Sequence, residues 1–279
     1  MKNLLLALLL TCCSGLAFAQ TSLTATTPEP VRYLDPVFTE WTTDFGEYQP
    51  GYKYKIYMPA HDTEDKRPVM IFYTGGGTTD ISKLNNICTE IVQLGYVTVA
   101  AQYKLTVGDG FTEQEQKESV IKTYELIRFL RENATAYGIK RKEIFGVGTS
   151  AGGITWINAG ITANNTGIPF YDGYKIPKIK GSLIGTASLS GAAVGSYFYL
   201  INSTGVPNNF YNGALDPLIP VKSAQETYEA QFAAGIPSLI KIYPLSDHTL
   251  GEHDDIYYNP DYGIIPTFYS RLKIKTPKP

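Results

Sequence analysis

Glu143-Ile144-Phe145-Gly146-Val147-Gly148-Thr149-Ser150-Ala151-Gly152-Gly153 decides how the rest of the chain is read. A short apolar, β-leaning run ends in Gly-x-Ser-x-Gly. An apolar run of helical length follows. Strand, sharp turn and helix, in that order, are the context in which this pattern presents a nucleophilic serine. The reason is steric: a serine held at so sharp a turn needs neighbours without side chains, which Gly148 and Gly152 supply. The backbone N–H of Ala151 then points from the helix N-terminus toward a reacting carbonyl. The alternative is an ordinary Gly-rich turn. In a chain of this length the pattern arises by chance in roughly one case in ten, so the flanking context carries the distinction.

Working outward, residues 69–73 form a β-branched and aromatic run, read as a buried strand. It leads directly into Thr74-Gly75-Gly76-Gly77. Residues 84–94 predict a helix stopped by Gly95, and 96–102 another buried strand. Val120, Tyr124, Ile127 and Leu130 mark a long amphipathic helix that ends before Gly138. Beyond the serine, strands are expected at 183–189, 208–212 and 238–243, and helices at 224–234 and 264–272. Strand and helix alternate from residue 69 onward. That predicts an α/β fold with a mostly parallel central sheet and helices on both faces. Before it, 37–41 and 52–58 read as two antiparallel strands around a Gly46/Pro50-Gly51 turn region. Residues 20–279 are expected to form one domain, without repeats.

A serine hydroxyl is a poor nucleophile without a base in hydrogen-bond reach and an acid to orient that base. Where such an elbow heads a sheet, the chain order is serine, acid, histidine. Asp216 lies in Asn212-Gly213-Ala214-Leu215-Asp216-Pro217, just past a short strand, where ligand-facing groups of an open α/β sheet collect; its alternative role is a turn aspartate before Pro217. The base is His248, in the loop after the last strand, with His253 as the competing choice in an acidic stretch five residues on. His61 is read as a solvated loop histidine. The Gly triplet offers N–H groups that no side chain blocks.

These segments together resemble the α/β-hydrolase carboxylesterases, the group that includes bacterial feruloyl-esterase-like and hormone-sensitive-lipase-like enzymes. The resemblance runs from about Tyr52 to the C-terminus. It is carried by Arg67-Pro68-Val69-Met70-Ile71, Thr74-Gly75-Gly76-Gly77, Tyr103-Lys104-Leu105, Ile127-Arg128-Phe129-Leu130, Gly148-Thr149-Ser150-Ala151-Gly152-Gly153 and Asn212-Gly213-Ala214-Leu215-Asp216. It implies an oxyanion hole built from the N–H groups of Gly76, Gly77 and Ala151. Two positions depart from the family. Thr74 stands where a histidine is usual, and Lys104 where arginine is frequent, which exchanges a fork of donors for a point charge. Larger members insert a cap before the strand that precedes the acid. Here 190–207 is too short for a helical one, so little or no cap is expected; the segment 164–180, with Tyr171 and Tyr174, is the alternative roof.

The bulk of the sequence sets the surroundings. Residues 1–19 read as an export signal: Lys2, the apolar run 4–10, and Ala17-Phe18-Ala19 as the cleavage site. A secreted or periplasmic location follows; lipid attachment at Cys12 or Cys13 is the less favoured alternative because Thr11 precedes Cys12. The run is too short to span a membrane. Losing Lys2 takes the basic count from 24 to 23 against 26 acidic residues, and the net charge from −2 to −3. That argues against nucleic acid or an anionic membrane as partner. Of three cysteines only Cys88 remains, on an apolar helical face, so it reads as a core thiol. The 21 tyrosines suit a sugar- or aromatic-lined cleft without establishing one. Three Asn-x-Ser/Thr matches, at Asn133, Asn164 and Asn202, are of the kind chance supplies in so Asn- and Thr-rich a chain. The expected activity is hydrolysis of carboxylic esters, short-acyl or sugar-linked, through an acyl-enzyme on Ser150 with no metal or cofactor. A peptidase of the same fold and a non-catalytic binding protein are the alternatives.

Overall fold

The computed structural model describes residues 33–62, 66–76, 78–104, 106–107, 111–164, 179 and 181–274. The export segment, Cys12 and Cys13, the lead-in at 20–30, Gly77, Leu105 and nearly all of 164–180, with Tyr171 and Tyr174, lie outside them.

Eight strands form one sheet: β1 Trp41–Gln49, β2 Tyr52–Pro59, β3 Arg67–Tyr73, β4 Val97–Ala101, β5 Ile139–Thr149, β6 Leu183–Leu189, β7 Asn208–Gly213 and β8 Leu239–Tyr243. Their order is β1-β2-β4-β3-β5-β6-β7-β8. β1 and β2 pair antiparallel, as do β2 and β4; every later pairing is parallel. The helices are α1 Asn85–Val92, α2 Glu113–Glu132, α3 Ala151–Thr162, α4 Val221–Ala233, α5 His253–Tyr258 and α6 Ile264–Ile274. Residues of β3 alternate between two cores. Val69, Ile71 and Tyr73 pack with residues of α2 and α3. Met70 and Phe72 pack with residues of α1, α5 and α6. A strand covered on both faces needs apolar side chains at every position, and burying each contributes roughly 1.5–3 kcal/mol.

α2 begins at a reciprocal cap. Thr112 Oγ1 accepts from the Glu115 N–H, and the Glu115 carboxylate accepts from the Thr112 N–H. The first strand departs from the sequence expectation of 37–41. The N–H groups of Val37 and Phe38 donate to the carbonyl of Gln93 instead, so this stretch is tied to the end of α1 and β1 starts at Trp41. Gly46 lies inside β1, and the turn falls at Gly51, with φ +80°. The segment 190–207 holds one 3-10 helix, Gly195–Leu200.

Because β3 and β5–β8 run parallel, their C-terminal ends share one edge. Thr74 follows β3, Ser150 follows β5, Ser190 follows β6, and the Asp216 and His248 loops follow β7 and β8. Beneath that edge Trp156 of α3 stacks on Tyr73, ring centroids 4.6 Å apart, and Tyr73 stacks on Tyr103, also at 4.6 Å. Such pairs contribute about 0.5–1.5 kcal/mol beyond burial alone. Here they lock the ends of β3 and β4 to the helix that follows the serine. Among the described residues, no helix is long and apolar enough to cross a membrane.

Candidate active site

Ser150 has φ +53° and ψ −121°, a conformation that costs a non-glycine residue roughly 1–3 kcal/mol. Surrounding bonds impose it. The Ser150 N–H donates to Leu189 O at 2.7 Å, and its carbonyl accepts the Ile154 N–H at 2.8 Å. The close passage of strand and helix leaves no room for a side chain at two positions. A Cβ on Gly148 would stand 2.4 Å from Gly152 C, and one on Gly152 would stand 2.5 Å from Thr74 O.

His248 Nε2 is 2.9 Å from Ser150 Oγ, and its Nδ1 is 2.8 Å from Asp216 Oδ2. An ionised carboxylate can only accept, so Nδ1 carries the proton and Nε2 offers its lone pair to the serine hydroxyl. The Asp216 side chain is fully buried. Its other oxygen, Oδ1, accepts the N–H groups of Leu218 at 2.8 Å and Ile219 at 2.9 Å. The turn role and the acid role are thus held by the same side chain, one oxygen each. His253 is elsewhere: its Nε2 lies 3.0 Å from Glu90 Oε1 on the surface. His61 is likewise exposed, beside Glu40.

The acid and base loops are built against each other. Ala214 N–H donates to Tyr243 O at 2.9 Å and Leu215 N–H to Ser246 O at 3.0 Å. A Cβ on Gly213 would stand 2.3 Å from Ser246 O and 2.2 Å from Asp247 O. Ser190, which the sequence reading did not single out, completes the brace. It sits at φ +55°, donates its N–H to Tyr211 O at 2.8 Å, and donates its hydroxyl to the carbonyl of His248 at 2.9 Å. Its position directly after β6, beside Gly191, is the one signal the sequence carried.

The loop after β3 is braced from below. Tyr103 OH donates to Thr74 O at 2.9 Å, Thr74 Oγ1 to Thr78 O at 3.1 Å, and Lys104 Nζ to Gly76 O at 2.6 Å. Thr74 therefore staples its own loop where the resembling family has histidine. Lys104 makes one strong bond to a backbone carbonyl, and burial pulls its pKa below the usual lysine range. Of the three expected oxyanion donors, Gly76 and Ala151 line one cavity with Ser150 and His248; Gly77 lies outside the described residues. The cavity holds about 830 Å³ and is walled mainly by apolar side chains, among them Phe111, Ile154, Val194 and Ile219. Gln116 of α2 and Ser190 are buried polar residues of its wall, the Gln116 amide donating to Phe111 O at 2.9 Å. Cys88 is on the buried face of α1, and burial pushes its thiol pKa up. No group of three metal-ligating side chains occurs among the described residues.

Residues 54–184 match the BD-FAE family model. No curated protein matches the chain. Solved structures similar to it include an esterase from Thermogutta terrifontis. With propionate bound, that protein superposes at a TM-score of 0.63 with 18% identity, over 85% of this chain and 97% of that one. Phosphoramylated by tabun, it superposes at 0.65 with 19% identity over the same shares. With butyrate bound, it superposes at 0.64 with 18% identity, over 85% and 96%. At such identities the likeness establishes the fold. Fold, site geometry and family match together make the chain a serine hydrolase of the α/β-hydrolase fold, similar over residues 54–184 to the BD-FAE family.

Proposed function

We propose that the protein cleaves carboxylic esters of short acyl chain by double displacement. The observation that carries this is the unbroken line from Asp216 through His248 to Ser150 Oγ, opening into a cavity. Ser150 Oγ attacks the carbonyl carbon while its proton passes to His248 Nε2. The C–O bond to the alcohol breaks, and the leaving oxygen takes that proton. Water then repeats the sequence and frees the acid. Asp216 stabilises the imidazolium, and the N–H groups of Gly76, Gly77 and Ala151 stabilise the oxyanion.

The short-acyl reading has two supports. Only a 3-10 helix occupies 190–207, and Leu218 at the cavity mouth is 67% exposed. The part of a longer chain that extends past this mouth would therefore gain little of the roughly 0.8 kcal/mol that each buried CH₂ contributes. The Thermogutta esterase was solved with propionate and with butyrate. Export follows from Lys2, the apolar run 4–10 and Ala17-Phe18-Ala19, and a mature N-terminus at Gln20 by mass spectrometry would establish it.

A p-nitrophenyl ester panel on wild type and Ser150→Ala tests the activity. Acetyl and butyryl esters should give the highest kcat/KM, with the variant inert on all. A kcat/KM rising steadily from acetyl to decanoyl would overturn the short-acyl reading. Equal rates for the two proteins would overturn the esterase.

A further inference from the structure

We infer that the groove between β1, β2 and the loop after β3 is a second substrate subsite, one that takes the carboxylated sugars of an acidic glycan whose ester is cleaved at Ser150. The inference rests on the esterase reading above.

The groove holds about 670 Å³ and is bounded on one side by Thr78 and Thr79. Gly76, two residues earlier, lines the Ser150 cavity. A single braced loop therefore separates the two hollows, and a polymer longer than one unit can lie across it. Gln102 joins loop and groove. Its Oε1 accepts the Lys53 N–H at 2.9 Å, and its Nε2 donates to Thr79 O at 2.8 Å.

The groove presents an aromatic ring beside two cations. Phe45 of β1 also lines it and is 59% exposed, a large apolar surface to leave in water at a strand position. Lys55 stands directly opposite Phe45 in the register, and Lys53 lies two residues away on the same face. Neither amine is in ion-pair reach of a carboxylate among the described residues. Glu47, opposite Lys53, accepts the Gly51 N–H at 3.0 Å instead. Asp80 at the far lip accepts the Ser82 N–H at 2.9 Å. Lys55 Nζ lies 4.8 Å from the centroid of the Tyr57 ring.

The apolar C–H face of a pyranose stacks on such a ring, and a carboxylate on the same sugar meets the two amines. The chain's net charge of −2 gives a polyanion no long-range attraction. Recognition must then be local, which is what two lysines at one groove, out of ion-pair reach of any described carboxylate, provide. The open form of the groove suits a glycan chain and offers no slot for an acyl tail.

The test compares wild type, Lys53→Glu/Lys55→Glu, the charge-keeping Lys53→Arg/Lys55→Arg, and Phe45→Ala. Three substrates are needed: p-nitrophenyl acetate, acetylated polygalacturonate, and acetylated glucomannan as the neutral polymer. The Glu pair should leave p-nitrophenyl acetate and glucomannan within about twofold, and lower kcat/KM on polygalacturonate by about tenfold or more through KM. The Arg pair should retain activity on it, and Phe45→Ala should weaken both polymers. Raising salt should erode the wild-type preference for the acidic polymer. Equal effects of the Glu pair on both polymers would overturn the subsite, as would a wild type that turns over p-nitrophenyl acetate but does not deacetylate polygalacturonate. A wild type inert on p-nitrophenyl acetate would overturn the esterase reading itself, and the subsite with it.

Discussion

His248 and His253 are five residues apart, and only one is placed for chemistry. His248 is 19% exposed and bonded on both nitrogens, to a fully buried carboxylate and to the serine. His253 is 47% exposed and rests against Glu90. Both have a carboxylate partner, so a nearby acid is not what separates them. The difference lies in what holds the partner. Asp216 is fixed by two backbone N–H groups, and the carbonyl of His248 by Ser190. Position on the sheet's C-terminal edge, secured by backbone bonds, converts one imidazole into a candidate base.

The comparison breaks most visibly at the base itself. His248→Ala should lower kcat by about 10⁴–10⁶, the range expected when a nucleophile loses its only base. Stopped assays at high enzyme concentration would measure it, with circular dichroism to show that the fold survives. Gly213→Ala removes no catalytic group but drives a Cβ into the backbone carbonyls of Ser246 and Asp247. Displacing the base loop by about 1 Å should cost on the order of 10²-fold in kcat, with KM little changed. Ser190→Ala removes one brace, a bond of about 1 kcal/mol; a loss of roughly fivefold in kcat, restored in part by threonine, is expected. His253→Ala should leave kcat/KM within about twofold, since the Glu90 contact is exposed and far from Ser150. A large effect there, with a small one at His248, would reverse the assignment of the two histidines.

How much of this was legible beforehand follows the same division. Strands buried on both faces, such as 69–73 and 183–189, announce themselves as unbroken apolar runs, and the structure has them within two residues of where they were read. β1 does not: it is an edge strand with Tyr48 as its one buried residue, so it carries no apolar alternation, and the expected start at 37 lies four residues before the observed one at Trp41. α5 was also missed. It spans six residues of acidic and aromatic character, and Ile256 and Tyr257 are its only buried side chains. Among site residues, Ser150, Asp216 and His248 could be named from chain order and strand ends. Ser190 could not, because its role is a contact with a carbonyl 58 positions away. Lys104 stands out in the sequence as a departure from the resembled family's pattern, but its bond to Gly76 is a property of the folded loop.

Cys88 supplies a control on the core. Burial raises its thiol pKa, so it should resist Ellman's reagent at pH 8 until the protein is unfolded, and stability should decline as pH rises past the unfolded thiol's value of roughly 8.5.

The most direct measurement is covalent. Wild type and Ser150→Ala are treated with a fluorophosphonate and examined by intact mass and peptide mapping. The account predicts one adduct per wild-type chain, on the peptide that contains Ser150, and none on the variant. An unmodified wild type, or an adduct that persists in Ser150→Ala, would contradict it.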